Sequence, residues 1–312
     1  MGRMSDLVEG YVSYKRSLGY KIETESKLLA RFARFCDVGH PGEALSPELA
    51  LAWIGSFDDP SEWYAARLYE TVRTFSRYAC VVDAGSTLLP AGRGRCHGMN
   101  DPYIYGDDEI EALMGALSGI HSPDGLRARS ASAMCGLMRS CGLRPSECVR
   151  LTVGDYDSSA GVVRVVASKF NRSRLVPLSG GAAARVESHL SAVPAGHAGA
   201  PLFPRTGGRP FDVRALEYAW QITRDVLLPA GATSWKRRPP RPYDCRHTFA
   251  TKTLEGWLAS GVDVDAMMPY LSAYLGHRKL ADTYWYLSAT DGLLGTASEM
   301  FGDYVRGGGR HE

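Results

Sequence analysis

Apolar residues recur every three to four positions through the first part of the chain. Leu7, Tyr11, Tyr14 and Leu18 keep that spacing, and Leu28, Leu29, Phe32 and Phe35 resume it, as amphipathic helices require. Further helices are expected over 47–55 and 63–82, with Ser46 as an N-cap and Pro47 in the first helical position. Helices with one apolar stripe bury it in a small bundle. The periodicity collapses over 84–100, where glycine, proline and polar turn formers cluster. These patterns predict a helical domain over 1–90, a linker over 91–100 and a second domain over 101–312 that ends in a tail.

The second domain has a different texture. Asp107 or Asp108 is expected to cap a helix through Ile110, Leu113 and Leu117. Residues 128–140 form a small-residue, methionine-rich helix expected to be buried, with Gly142 at its C-terminus. Two short β-branched runs, 161–167 and 174–178, flank a polar turn and predict a hairpin. Helical patterns return over 182–190, 212–228, 243–259, 264–275 and 280–287, and a last helix is expected over 292–305. The fold class is therefore mainly α, with an α+β second domain that carries a small antiparallel sheet.

Composition narrows the class. At 312 residues the chain is long for one domain and suits two. Hydrophobic residues are 45% and charged residues 22%, which excludes wholesale disorder. No stretch approaches the ~20 apolar residues of a membrane span, and residues 1–10 lack the apolar core of a signal peptide. The seven cysteines are odd in number and include no Cys-x-x-Cys pair. They point to a reducing cytosol and away from a zinc site of closely spaced thiolates. The net charge of +2 does not by itself announce a nucleic-acid binder. The 29 arginines against 7 lysines suit bidentate phosphate recognition, but GC-rich coding gives the same bias.

Four segments carry candidate chemistry. In Gly142-Leu143-Arg144-Pro145-Ser146-Glu147 an arginine sits in a turn just past a helix end. Taken alone it reads as a surface residue or an ion pair with Glu147. Ser168-Lys169-Phe170-Asn171-Arg172-Ser173-Arg174 places three cations at the tip of the expected hairpin, where a solvated charged tip is the ordinary reading. Lys236, Arg237, Arg238 and Arg241 lie together with Trp235 and Tyr243 interleaved, a pattern able to track a phosphate backbone. Arg246 then opens an apolar helix whose neighbours look buried, so it faces a cleft or a partner, since a buried unpaired charge is costly. Last come Leu275-Gly276-His277 and Thr283-Tyr284-Trp285-Tyr286-Leu287, which in isolation read as a capped helix and core aromatics.

Their order and spacing together resemble the tyrosine site-specific recombinases, the phage integrase family. Gly142-Leu143-Arg144 with Glu147 is similar to the family's first arginine box. Lys169 aligns with its hairpin lysine, followed by the matching Arg174-Leu175-Val176-Pro177-Leu178. Arg246-His247-Thr248-Phe249-Ala250-Thr251 is similar to the second arginine box, and Leu275-Gly276-His277 to the Leu-Gly-His segment. Tyr286 stands nine residues beyond His277, where the family places its nucleophile. The resemblance covers about 101–290. The first domain resembles the family's helical DNA-clamping domain in size and pattern only.

The resemblance implies metal-free breakage and rejoining of double-stranded DNA, with no cofactor. Arg144 and Arg246 would clamp the scissile phosphate. Tyr286 would form a 3′-phosphotyrosine, Lys169 would protonate the departing 5′-oxygen, and His277 would hydrogen-bond the phosphate. Arg172, Arg174, Lys236, Arg237, Arg238 and Arg241 would contact DNA. It also implies a C-shaped clamp on the duplex and a homotetramer on paired sites, alone or with co-encoded recombinases, in the cytoplasm at the nucleoid. Two departures stand out. Tyr243 occupies the position where the second box usually has histidine, and a phenol is a poor base at neutral pH although it still donates to a phosphate oxygen. The stretch between Arg246 and His277 is longer than usual, which suggests a Xer-like or mobile-element subgroup. Tyr284 is the internal rival to Tyr286. The competing functions are a type IB topoisomerase and an inactive DNA-binding accessory protein.

Overall fold

The computed structural model describes residues 2–91, 102–166, 173–235 and 238–288, with Ser288 described by its backbone alone. The chain divides into two compact units, 1–99 and 100–312. The expected linker falls outside the described residues apart from Ala91.

The first unit is a bundle of α1 (Arg3–Ser17), α2 (Glu23–Gly39), α3 (Pro47–Gly55) and α4 (Glu62–Val82). Helix starts follow from local chemistry. Ser46 Oγ accepts from Leu49 N at 3.2 Å, with Pro47 at the first position, and Ser61 Oγ accepts from Tyr64 N. The α1 start has no side-chain cap of its own. Asp37 of α2 takes over, accepting from Met4 N at 3.0 Å and Ser5 N at 3.1 Å, and so satisfies donors that a helix start leaves open. The core is aromatic, with Phe32 edge-on to Trp53 at 5.2 Å and Tyr11 edge-on to Phe75 at 5.5 Å. The broken pattern over 84–90 proves to be packed chain. Leu89 is buried in this core, its N–H bonds Ser76 Oγ, and Thr87 N bonds Leu45 O. A single apolar residue held by backbone hydrogen bonds leaves no periodic trace in sequence.

The second unit is built on α5 (Asp107–Ser118) and α6 (Leu126–Cys141). Small and thiol side chains along α6 let its neighbours close in; Ala131, Met134, Cys135 and Met138 are fully buried. After the short α7 (Pro145–Cys148) comes a sheet of β1 (Tyr156–Asp157), β2 (Val162–Val165) and β3 (Arg174–Pro177), in that order and antiparallel. The register places Val163 opposite Val176, both buried. The expected hairpin is therefore β2–β3, and its turn over 167–172 falls outside the described residues. The two-residue β1 is too short to show in sequence; Asp157 closes the β1–β2 turn by accepting from Ser159 N and Ala160 N.

Next come α8 (Gly180–Ser191), the small pair β4 (Pro204–Arg205) and β5 (Arg209–Pro210), and α9 (Val213–Thr223). The helix expected over 212–228 changes at Thr223 into a 3₁₀ turn, Arg224–Leu227. There Thr223 Oγ1 bonds back to Ala219 O and Trp220 O, and such back-bonding competes with the helical ladder. The last described helices are α10 (Asp244–Ala259), α11 (Val264–Leu275) and α12 (Ala281–Ser288). They share a second apolar cluster of Ala250, Leu254, Met268, Leu271 and Leu275, in which Tyr286 also sits. The helix expected over 292–305 lies outside the described residues. A polar chain fixes the start of α10: Trp220 Nε1 donates to Tyr105 Oη (3.0 Å), Tyr105 Oη donates to Arg241 O (2.9 Å), and Tyr105 N donates to Thr248 Oγ1 (3.0 Å).

Candidate active site

Two glycine-terminated helices and the first turn of α10 supply the site. Gly142 ends α6 and Gly276 ends α11, both left-handed at φ +60° and +69°, a conformation that favours glycine. A Cβ on Gly142 would lie 2.6 Å from Phe249 Cδ1. These turns present carbonyls to the arginines. Arg246 Nη1 donates to Gly142 O at 2.8 Å and Nη2 to Leu275 O at 2.7 Å. Arg144 Nη2 donates to Gly276 O at 3.0 Å and Nη1 to Glu147 Oε1 at 2.6 Å.

Arg246 is 0% exposed, yet it is in no salt bridge among the described residues, and its Nε lacks a partner there. Burial and the neighbouring Arg144 charge pull its pKa down. A buried cation held by carbonyl dipoles alone costs free energy that a bound anion would recover. Glu147 neutralises the other side. Its carboxyl takes both Arg174 nitrogens at 2.9 Å as well as Arg144. Burial would raise its pKa, but Arg174 and Arg144 outweigh that and hold it at about 2.

The aromatic side closes the site. Tyr286 is 2% exposed. Burial raises its pKa, opposed by the charge and hydrogen bond of Arg246. Its ring lies parallel to that of His277 at 6.0 Å. Thr283 Oγ1 fixes His277 through Nδ1 at 2.7 Å. Burial, then Arg246, Arg144 and Arg174, lower the His277 pKa to about 3, so the ring is neutral at pH 7. Tyr284, two residues earlier, turns away and donates to Asp265 Oδ1.

Arg144, Arg246, His277 and Tyr286 thus come together in one place. Tyr243, half-exposed at the start of α10, lines an open cleft of about 270 Å³ with Arg144, Ser146, Val213, Glu217 and Arg241. The structure adds an inward role to Arg174. Arg174 donates from Nε to Tyr274 O (2.8 Å) and from both other nitrogens to Glu147, so it braces the site. Arg238 is likewise occupied by Asp244 Oδ1 at 2.9 Å, while Arg241 keeps a half-exposed side chain 3.6 Å from that oxygen. Lys169, Arg172, Lys236 and Arg237 lie outside the described residues. Sequence reasoning missed Thr283 and His247, whose ring touches those of Tyr243, Trp285 and Tyr286. It also missed the bridging role of Glu147, which only a structure joins to Arg174.

Comparison with known proteins agrees with this geometry. The sequence profile described as "Phage integrase family" matches residues 105–292. Over 311 residues the chain is 32% identical to an integrase/recombinase, y4rB, of Sinorhizobium fredii, covering 94% of this chain and 95% of that protein. It is 29% identical to the tyrosine recombinase XerD of Mycobacterium leprae over 240 residues, 72% of this chain and 69% of that protein. Among solved structures, the Tn1549 transposon integrase in complex with a circular-intermediate DNA superposes with a TM-score of 0.64 at 15% identity, over 90% of this chain and 94% of that one. The chain belongs to the phage integrase family of tyrosine recombinases. It is an enzyme of site-specific recombination that breaks and rejoins DNA.

Proposed function

We propose that Arg144, Arg246 and His277 receive the scissile phosphate and that Tyr286 attacks it. The observation that carries this reading is the fully buried, carboxylate-free Arg246 lying against the Tyr286 hydroxyl. A phosphodiester repels nucleophiles because its nonbridging oxygens are anionic. Two guanidiniums aimed at those oxygens favour the extra charge of the pentavalent transition state. Backbone carbonyls already hold both guanidiniums, so little reorganisation is required on binding.

The phenolic oxygen of Tyr286 bonds to phosphorus, the bond to the 5′-oxygen breaks, and Lys169 supplies the proton that oxygen needs. The covalent 3′-phosphotyrosine conserves the ester, so a 5′-hydroxyl from a second strand reverses the step. No metal or cofactor enters. Tyr243, beside Arg144 at the cleft, donates to a phosphate oxygen in place of the usual histidine. Arg241, with Arg172, Lys236 and Arg237, contacts flanking phosphates. We further propose that the protein works as a tetramer on paired sites in the cytoplasm, alone or with co-encoded recombinases. Its task is the movement of a mobile element. That task is supported by the integrase/recombinase relatives, which match nearly end to end, whereas the XerD proteins match about two thirds of their length.

Covalent trapping tests the reading. Wild type and Tyr286→Phe are mixed with nicked duplexes taken from the ends of the element that carries the gene, and denaturing gels reveal adducts. The expected result is an adduct with wild type and none with Tyr286→Phe. An adduct that persists in the variant moves the nucleophile elsewhere, with Tyr284 first in line.

A further inference from the structure

His247 is the feature of the site that the roles above leave unused. It follows Arg246 on α10, and its ring sits inside an aromatic wall. Ring centroids lie 5.1 Å from Tyr243, 5.2 Å from Trp285 and 5.6 Å from Tyr286. Its Nδ1 is shut off from solvent and meets no hydrogen-bond partner among the described residues. A buried polar nitrogen without a partner is costly, and a catalytic role is one reason such an atom is kept.

The attack by Tyr286 needs somewhere for the phenol proton to go. His277 is committed through Nδ1 to Thr283. At position 243 a phenol, a poor class of base, stands where the family usually has histidine. Of the three rings walling His247, those carrying a hydroxyl are Tyr243 and Tyr286. We propose that the His247 imidazole is the proton acceptor for Tyr286, the role left open by tyrosine at position 243. This rests on the reading of Tyr286 as nucleophile.

The charged and titratable groups around the ring support a neutral imidazole that waits to be protonated. Burial, then the Arg246 and Arg238 charges, lower its pKa to about 4, and Tyr243 and Tyr286 are the titratable groups it touches. A scissile phosphate offsets those two cations and raises the imidazole's basicity as the substrate seats. In cleavage the phenol O–H bond breaks, the proton passes to the imidazole nitrogen, the O–P bond forms, and the P–O5′ bond breaks with protonation of the 5′-oxygen. In rejoining, the imidazolium returns its proton to the departing Tyr286 oxygen.

The test is single-turnover adduct formation by the full chain, on the nicked duplex that wild type cleaves, between pH 6 and 9. The variants are His247→Phe, which keeps an aromatic ring without nitrogen, His247→Gln, and Tyr286→Phe. With the proposal, His247→Phe binds DNA with the salt dependence of wild type but forms adduct about 100-fold more slowly at pH 7. Its rate then climbs about tenfold per pH unit, following the phenolate fraction, while the wild-type rate stays flat. His247→Gln, which accepts a hydrogen bond but no proton, shows the same slope and serves if the phenylalanine variant does not fold. A His247→Phe or His247→Gln rate within about threefold of wild type with a flat profile overturns the proposal. Adducts from Tyr286→Phe would instead overturn the nucleophile reading on which it rests.

Discussion

Glu147→Gln is the perturbation that most directly tests how the site is held together. The wild-type carboxylate is fully buried, spans Arg144 and Arg174 and also accepts from Arg144 N at 3.0 Å. Holding it at about 2 rather than the ordinary 4.5 favours the ionised folded state by roughly 3 kcal/mol. Because the folded value is depressed, this stability is fully present above about pH 4.5 and is lost as pH falls towards 2. Glutamine keeps the shape but not the charge, and leaves two buried guanidiniums facing a neutral amide. Breaking a buried pair from one side costs about 3–5 kcal/mol. We expect Glu147→Gln to be destabilised by roughly 3 kcal/mol at pH 7, with the gap to wild type closing steadily between pH 5 and 3. Urea unfolding of both proteins across that range, followed by tryptophan fluorescence, measures the gap. The comparison must be between proteins, because Asp244 works the other way. Burial, against the Arg238 charge, raises its pKa to about 6, so its contribution falls as pH rises from about 4 to 6. That term is common to both chains and cancels. A gap that is independent of pH, or below about 1 kcal/mol at pH 7, would refute the argument that Glu147 is the charged brace.

Two further substitutions probe the same frame. Gly276→Ala puts a Cβ 2.9 Å from Arg174 Nη1 at φ +69°; we expect a loss of about 1–3 kcal/mol in thermal melts and slower adduct formation, since Gly276 O anchors Arg144. Thr283→Val keeps the shape of a fully buried side chain but removes the partner of His277 Nδ1. Stability should drop by about 1–2 kcal/mol and adduct formation by roughly tenfold at unchanged DNA affinity, measured by gel shift and trapping.

The parts of this protein legible from sequence are those with local signatures. Ser46-Pro47 marked a helix start because a cap and a proline act within one turn. Arg144, Arg246, His277 and Tyr286 stood out through box order, and their boxes fold onto one place because Gly142 and Gly276 end the helices there. What stayed hidden depends on distant partners. Arg174 reads as a cation on a hairpin, and only the approach of β3 to α7 turns it inward to Glu147. Asp37 caps a helix more than thirty residues upstream, a relation with no spacing rule. Leu89 looks like linker because its order comes from Ser76 and the bundle core.

The arginine frame also explains why this fold suits a reaction that must run both ways. A catalyst for reversible strand exchange needs a phosphate clamp that stays in place while the nucleophile alternates between Tyr286 and a DNA hydroxyl. Here the clamp is fixed by carbonyls at the ends of α6 and α11 and by a carboxylate at α7, none of which takes part in bond making. Tyr286 instead stands on α12, whose described contacts are to the small apolar cluster with α10 and α11. That cluster also includes Leu275, whose carbonyl holds Arg246, so the nucleophile's helix and one anchor of the clamp rest on the same small core. Loosening that cluster by Met268→Ala should therefore disturb the Tyr286 helix and the Arg246 anchor together, so that adduct formation slows and DNA affinity falls in parallel; a loss of attack rate at unchanged affinity would refute the shared core.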